Sequence, residues 1–302
     1  MKATARDIVD SHVHLWDRGV LEYEWLANEG GLLQYNFLPA DLDEALDLPA
    51  ATVTSVVAVQ ADCRDDQAHA EARWLDSLAD AGAPIAAIVA SARLELGEGS
   101  RAEVEQLAAL DRVTGVRRLL QDRPDGFATS AGFVDGVRLL ADYGLVMDLC
   151  IRQHHLAEVV RLVQACPEVT FVLDHLGKPV ISDSDFPRWA AHIDQLAALP
   201  NTRCKISGLM SEAPAGMRTA AGLRPWIDHA IEAFGTSRCL YGSDWPVLTM
   251  ASTYPAWLEV VTTVIGDLSA EQQTAILGLN ALATYDPARR QERMKEPSRG
   301  AH

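Results

Sequence analysis

The sequence predicts an α/β protein of one domain, built as a TIM-type (β/α)₈ barrel. Three observations favour this fold. Eight short apolar runs follow one another along the 302 residues; stretches rich in Ala, Leu, Glu and Arg separate most of them; and Gly or Pro often precedes the next run. Continuous apolar strands are typical of a parallel sheet that is buried on both faces, and helices that alternate with such strands indicate repeated βαβ units.

The eight apolar runs are taken as strands, in the order 8–15, 54–61, 85–92, 113–120, 145–151, 169–177, 202–209 and 239–247. Helices are predicted at 66–81, 101–110, 131–143, 156–166, 186–199 and 223–234. An open, doubly wound sheet is the alternative, but neither GxGxxG nor GxxxxGK[ST] occurs in the sequence. Barrels of about 250 residues commonly form one domain. We therefore expect a barrel domain over 1–286 and a polar C-terminal tail over 287–302.

The composition limits the classes of partner. The net charge of −16 disfavours binding to nucleic acid or to an anionic membrane surface. No stretch approaches the roughly 18 apolar residues of a membrane-spanning helix, and the N-terminus lacks the apolar core of a signal peptide. The five cysteines form no CxxC pair, and an odd number favours a reducing compartment. We expect a cytoplasmic protein with a small-molecule substrate, and the oligomeric state stays open.

The first connection between strand and helix, from about residue 16 to 51, is unusually long and aromatic. Long connections of this kind lie at the face of a barrel that carries the active site. We predict a lid or a substrate wall there, and the alternative is a loop that only packs on the barrel rim. The aromatic residues concerned are Trp16, Tyr23, Trp25, Tyr35 and Phe37.

Four residues at strand ends are the candidate catalytic group. His12 and His14 end the first strand, and residues two apart on a strand face the same side. His175 follows the sixth strand and Asp244 the eighth, so all four should meet at the barrel mouth. Two imidazoles can hold a cation or polarise an oxygen, and a carboxylate can take a proton from water. We predict that Asp244 is the catalytic base; buried structural histidines and an aspartate that caps a helix are the alternatives.

Other strand ends offer substrate contacts. In the fourth strand, Arg117 and Arg118 must face opposite sides, and we favour Arg117 as the one that binds a carboxylate or a carbonyl. Gln60 can bind a substrate hydroxyl, or it caps the rim. Lys205 and Ser207 share a face of the seventh strand, so one of them is expected to line the pocket.

Taken together, these motifs resemble a known family. The HxH of the first strand, DHLGKP after the sixth, KISG in the seventh and GSDWPV at the eighth are similar to the amidohydrolase-related (amidohydrolase 2) branch of the amidohydrolase superfamily. Within it they resemble the sugar-lactone hydrolases of the L-fuconolactonase and L-rhamnonolactonase type, and the 2-pyrone-4,6-dicarboxylate lactonases. The resemblance covers the chain through Asp286. It implies a distorted barrel that hydrolyses a lactone, with His12, His14, His175 and Asp244 in the active-site positions.

The resemblance leaves the metal open. Members with two metal ions bridge them with a carboxylated Lys or a Glu at the fourth strand, and Gly115-Val116-Arg117-Arg118 offers no such group. One interpretation is a single divalent ion, zinc being the natural one for imidazole ligands, bound by His12, His14, His175 and Asp244. The interpretation that we favour needs no metal, because Arg117 and the imidazoles stabilise the oxyanion.

We predict that the protein opens a sugar-derived aldonolactone, such as L-fucono- or L-rhamnono-lactone, with water activated by Asp244. Aromatic faces and amides suit a hydroxyl-rich ring, and the predicted substrate contacts are Arg117, Gln60, His154, Trp16, Trp25 and Trp245. His154 is included because it follows the fifth strand, although it equally fits the start of the next helix. Three alternatives stay open: a 2-pyrone-4,6-dicarboxylate-type lactonase, which needs several pocket arginines; a zinc-dependent decarboxylase of aromatic or dicarboxylic acids; and a sugar-acid binder without catalysis.

Overall fold

Eight parallel strands form one sheet in which each strand pairs with the next in the chain. The structure is a computed structural model that describes residues 6–27, 31–48, 51–288 and 290. The predicted fold and its eight strands are confirmed. The strands are β1 (Arg6–Val13), β2 (Ala51–Val59), β3 (Ile85–Ala90), β4 (Val113–Arg117), β5 (Val146–Leu149), β6 (Phe171–Leu173), β7 (Thr202–Ile206) and β8 (Cys239–Tyr241).

The sheet closes into a barrel at its carboxyl end. A parallel bridge joins Val13 to Trp245. The backbone N–H of Asp244 donates to the carbonyl of His12 at 2.9 Å, and the N–H of His14 donates to the carbonyl of Trp245 at 2.8 Å. The first and last strands are therefore joined at the mouth of the barrel, where the candidate catalytic residues lie.

Helices surround the sheet, and six of them agree with the predicted stretches to within three residues at each end. In the described ranges the helices are α1 (Pro39–Ala45), α2 (Ala68–Asp80), α3 (Arg101–Ala108), α4 (Ala131–Asp142), α5 (Leu156–Ala165), α6 (Phe186–Ala197), α7 (Leu209–Glu212), α8 (Ala220–Phe234), α9 (Tyr254–Val264), α10 (Ala270–Thr274) and α11 (Asn280–Tyr285). Helix α1 lies within the long first connection. It begins at a proline and is capped by Asp41, whose carboxylate accepts from the Leu38 N–H at 2.8 Å.

The interior of the barrel changes character along its axis. A cluster of small apolar side chains from the strands fills its lower part, and its members from five of the strands are Val9, Val57, Val89, Val146 and Val172. Closer to the mouth, the buried side chains are histidine, aspartate, arginine and lysine. Such layers of side chains fill the interior of a barrel as a packed core. The polar side chains nearer the mouth therefore rest on a rigid layer of apolar residues.

The packed structure continues past the predicted domain boundary at Asp286. Arg290 is buried, and its guanidinium donates to the carbonyls of Ala108, Val113 and Tyr143 at 2.5, 3.0 and 3.1 Å. The rest of the predicted tail, residues 289 and 291–302, lies outside the described residues. Across the described ranges, no helix combines the length and the apolar character that crossing a bilayer requires.

Candidate active site

The two histidines at the end of β1 lie side by side. Both are buried, and their Nε2 atoms are 3.1 Å apart. Val13, between them, packs into the core outside the barrel. The Nδ1 atom of His14 lies 2.8 Å from the carbonyl oxygen of Val59. A carbonyl only accepts, so Nδ1 carries the proton, and in the neutral imidazole Nε2 presents its lone pair.

Asp244 lies at the centre of the candidate group. Its Oδ1 is 3.5, 3.7 and 3.8 Å from the Nε2 atoms of His14, His12 and His175. Burial raises the pKa of Asp244, whereas His175 and the other two histidines lower it by a larger amount. The pKa of Asp244 therefore lies below its usual value. The carboxylate is therefore ionised at neutral pH, as a group that takes a proton from water must be.

His175 is the third imidazole close to this carboxylate. Its Nδ1 is 2.8 Å from the hydroxyl of Ser207, and burial lowers the pKa of His175 to about 4. The ring also packs closely against Gly208, where a Cβ atom would lie 2.7 Å from the imidazole and where φ is +69°. Only glycine meets both conditions, which gives the KISG motif a physical reason.

Arg117 and Arg118 point in opposite directions. Arg117 is buried, its Nη2 donates to the carbonyl of Gln60 at 2.7 Å, and its Nη1 lies 3.3 Å from His12 Nε2. Arg118 instead makes ion pairs at the rim with Asp65 and Glu95. The structure thus places Arg117 at the cavity, and its catalytic role stays a prediction.

A buried ion cluster beneath His12 was not predicted. The ammonium of Lys205 lies 2.5 Å from Asp148 Oδ2, 3.0 Å from Asp174 Oδ1 and 3.1 Å from His12 Nδ1. Tyr285 donates its hydroxyl to the other oxygen of Asp148 at 2.7 Å. Burial lowers the pKa of Lys205, but the two neighbouring carboxylates raise it by more, so that the pKa lies above its usual value. Lys205 therefore orients His12 from below and does not line the pocket.

Asp10 is a further buried residue whose structural role was not predicted from the sequence. Its Oδ1 accepts from the backbone N–H groups of His12 and Ser243 at 3.0 and 2.9 Å, and its Oδ2 accepts from the Tyr254 hydroxyl at 2.9 Å. The carboxylate thus joins the ends of β1 and β8 with helix α9. Its position two residues before His12, on the same face of the strand, is the signal that could have identified it.

A cavity of about 320 Å³ opens above these residues. Trp16 and Trp25 form part of its wall. The indole N–H of Trp16 donates to the backbone carbonyl of Tyr35, and that of Trp25 donates to the backbone carbonyl of Ala61. The described part of the long first connection packs as an apolar cluster around Trp16, and its role as a lid or a substrate wall stays a prediction. The lining residues are His14, Trp16, Trp25, Ala61, Asp62, Arg117, Leu119, Gln121, Asp122, Cys150, Arg152, His175, Lys178, Asp244 and Val247.

Three predicted substrate contacts do not line this cavity. The side-chain oxygen of Gln60 accepts from the backbone N–H of Asp62 at 2.5 Å. Trp245 is buried, with its ring 5.3 Å from that of Phe37. His154 stacks on His155 and borders a neighbouring cavity. Each lies beyond the end of its strand, where the alternation of faces no longer holds.

The donor atoms fit one divalent ion. His12, His14 and Asp244 offer ligand atoms within 4.8 Å of one another, and His175 approaches Asp244 at 3.8 Å. Tetrahedral zinc with bonds of about 2.0–2.1 Å needs ligand atoms about 3.3 Å apart, and the nitrogen atoms of His12 and His14 are 3.1 Å apart. At β4, Arg117 occupies the place where a bridging ligand for a second ion is required.

Three known proteins illustrate what this chain is similar to. An L-fucono-1,5-lactonase of Burkholderia multivorans is 33% identical over 290 residues, which cover 92% of this chain and 95% of the relative. An amidohydrolase of the same species, solved with bound zinc, has a TM-score of 0.81 at 31% identity and covers 93% of this chain and 99% of its own. A 2,6-dihydroxybenzoate decarboxylase from Rhizobium has a TM-score of 0.66 at 12% identity, over 93% and 98% of the two chains, and this likeness concerns the fold alone.

The sequence motifs, the closed barrel and the histidine–aspartate group agree with a family assignment. The sequence model of one family, described as Amidohydrolase, matches residues 9–286. This range contains all eight candidate strands beyond the first residues of β1 and every candidate catalytic residue. The chain belongs to this amidohydrolase family.

Proposed function

We propose that this protein hydrolyses a sugar-derived lactone to the hydroxy acid. The observation that carries the proposal is the ionised Asp244 carboxylate, held 3.5–3.8 Å from three imidazole nitrogens in a cavity that also contains a buried arginine. The similarity to an L-fucono-1,5-lactonase supports this substrate class. A small-molecule substrate suits the volume of about 320 Å³.

The reaction follows from these positions. Asp244 removes a proton from water, and the resulting hydroxide attacks the ring carbonyl. Arg117 and the imidazoles stabilise the negative oxygen of the tetrahedral intermediate. The bond between the carbonyl carbon and the ring oxygen then breaks, and protonated Asp244 returns its proton to the leaving alkoxide. The products are a hydroxyl group and a carboxylic acid, which ionises in neutral solution.

His12, His14 and Asp244, with His175 beside them, would hold a zinc ion. Zinc supplies Lewis-acid polarisation of a carbonyl and lowers the pKa of a bound water. We favour hydrolysis that does not depend on the metal, because the buried guanidinium of Arg117 already places a positive charge 3.3 Å from His12 Nε2. The three mouth histidines keep the base and the reacting water in place in either case.

The first experiment is a pH-indicator screen of aldonolactones and pyrone lactones, run on enzyme as purified and after chelation. We expect acid release from hydroxylated aldonolactones, with the rate retained after chelation. Loss of the rate on chelation and its recovery with zinc would contradict metal independence alone. No acid release from any lactone, together with one bound zinc per chain, would overturn the proposal in favour of a decarboxylase.

Replacing Arg117 by Met should lower kcat about 10²-fold, since the loss of one preorganised oxyanion donor typically costs about 10²–10³-fold. The matched control is Arg118→Met on the same strand, because Arg118 pairs with Asp65 and Glu95 at the rim. That variant should unfold at a lower temperature and keep its kcat. Steady-state kinetics distinguishes the two, and an equal kcat loss in both variants would contradict the role of Arg117.

The cavity disfavours a dicarboxylate substrate. The cations of the cavity are Arg117, Arg152 and Lys178; Arg152 pairs with Asp122 at 3.1 Å and Lys178 with Glu212 at 3.9 Å. The carboxylate of Asp62 also lines the wall and repels an anion. A neutral, hydroxyl-rich lactone therefore fits better than a pyrone dicarboxylate.

The cytoplasmic location stays part of the proposal, supported by five buried free thiols.

A further inference from the structure

Unusual backbone conformations are concentrated around the cavity. In the described part of the chain, five residues other than glycine have a positive φ, and they are Asp62, His175, Leu176, Lys178 and Asp244. All except Leu176 line the cavity. Such conformations are sparsely populated by residues other than glycine and cluster at functional sites. His175 and Asp244 belong to the proposed catalytic group, whereas the reaction steps leave Asp62 without a role.

Neighbouring side chains fix the turn that presents Asp62. Its N–H, where φ is 59°, donates to the side chain of Gln60 at 2.5 Å. The preceding residue, Ala61, donates its N–H to the buried carboxylate of Glu71 at 3.0 Å and accepts from the indole of Trp25 at 2.8 Å. The turn after β2 is therefore rigid, and a rigid turn holds a binding group in one position.

The carboxylate of Asp62 differs from its neighbours. Asp65, Asp66 and Asp122 are in ion pairs with arginines at 2.5, 2.6 and 3.1 Å. For Asp62, no hydrogen bond or ion pair to its carboxylate is found among the residues that the structure describes. This carboxylate lines the same cavity as Asp244 and Trp25.

We propose that Asp62 is a specificity-determining residue that accepts hydrogen bonds from ring hydroxyls of the substrate. This inference rests on the proposed lactone hydrolysis and narrows its substrates to polyhydroxylated lactones. An ionised carboxylate only accepts, and its two oxygens can bind two adjacent hydroxyls. Asp62 is exposed in the free protein, and an analogue that lacks the hydroxyl forgoes this hydrogen bond to a charged group. Asp62 thus takes the role that the sequence suggested for Gln60.

The test couples a change in the enzyme to a change in the substrate. Asp62→Gly removes the carboxylate and retains the turn, since glycine adopts a φ of 59° without steric cost; Asp62→Asn is the variant of equal size. The substrates are the best hydroxylated lactone of the screen and its set of mono-deoxy analogues. Asp66→Asn, at an exposed residue paired with Arg64, is the control for a lost surface charge.

We expect Asp62→Gly to lower kcat/KM for the parent lactone by about 10–10²-fold, the range for hydrogen bonds to a charged group. For at least one mono-deoxy lactone, the loss of kcat/KM caused by Asp62→Gly should then be smaller than for the parent, because one interacting hydroxyl is already missing. The thermal unfolding temperature should not fall. An equal loss on the parent and on every mono-deoxy lactone, or no loss at all, overturns the inference while leaving lactone hydrolysis intact. A wild-type enzyme that opens no hydroxylated lactone overturns both.

Discussion

Replacing Asp244 by Asn should lower kcat by about 10²- to 10⁴-fold, the range for loss of a positioned general base. The amide has nearly the same shape as the carboxylate but cannot take a proton from water. The backbone bond from residue 244 to the His12 carbonyl, 2.9 Å long, does not involve the side chain. The barrel seam therefore remains closed, and the defect should be confined to the chemistry.

Initial rates of acid release measure this loss, and thermal unfolding shows whether the variant is folded. Asp142→Asn serves as the control, because Asp142 is exposed and paired with Arg101 on the outer helices. Activity of Asp244→Asn within about tenfold of wild type would remove Asp244 as the base, since general-base catalysis is worth at least about 10²-fold.

Replacing Lys205 by Met should lower the free energy of unfolding by about 3–5 kcal/mol, the usual cost of removing one partner of a buried ion pair. The ammonium has three acceptors, on Asp148, Asp174 and His12, at 2.5–3.1 Å, and none of these side chains is exposed. Methionine fills a similar volume but leaves two carboxylates facing each other inside the barrel.

The double variant Lys205→Met/Asp148→Asn separates this electrostatic cost from a packing defect. It leaves Asp174 with Arg117 at 3.5 Å as its remaining cation, so part of the lost stability should return. Urea unfolding of the wild type and of both variants measures the difference. A single variant with the stability of the wild type, or a double variant less stable than the single one, would contradict the electrostatic explanation.

The fold could be predicted because most strand residues, apart from those in the first half of β2, are buried on both faces of the sheet, so that each strand stands out as an apolar run. The pair His12 and His14 could be predicted because both lie at the regular end of β1, where the alternation of faces applies. Past a strand end that alternation fails. Asp62 follows Gln60 by two residues, yet its left-handed backbone, with φ of 59°, separates their directions, and only Asp62 lines the cavity.

The buried ion cluster could not be predicted from the sequence, for a different reason. Asp148 interrupts an apolar run, and nothing local shows whether such a residue points into the barrel or outward. Its partner Lys205 is 57 residues away in sequence, and their proximity depends on the register of β5, β6 and β7. Contacts of this kind follow from barrel closure and cannot be read from spacing along the chain.

The hydrogen bonds that join β1 to β8 also determine when the candidate active site can form during folding. His12 and His14 belong to the first strand of the barrel, and Asp244 follows the eighth, so these residues come together only when the two ends of the sheet meet. Domains generally fold as units, and a barrel that lacks its eighth strand lacks both the seam at the mouth and Asp244, the proposed base. The proposed hydrolysis therefore requires the complete barrel, in which the first and the last strand are joined.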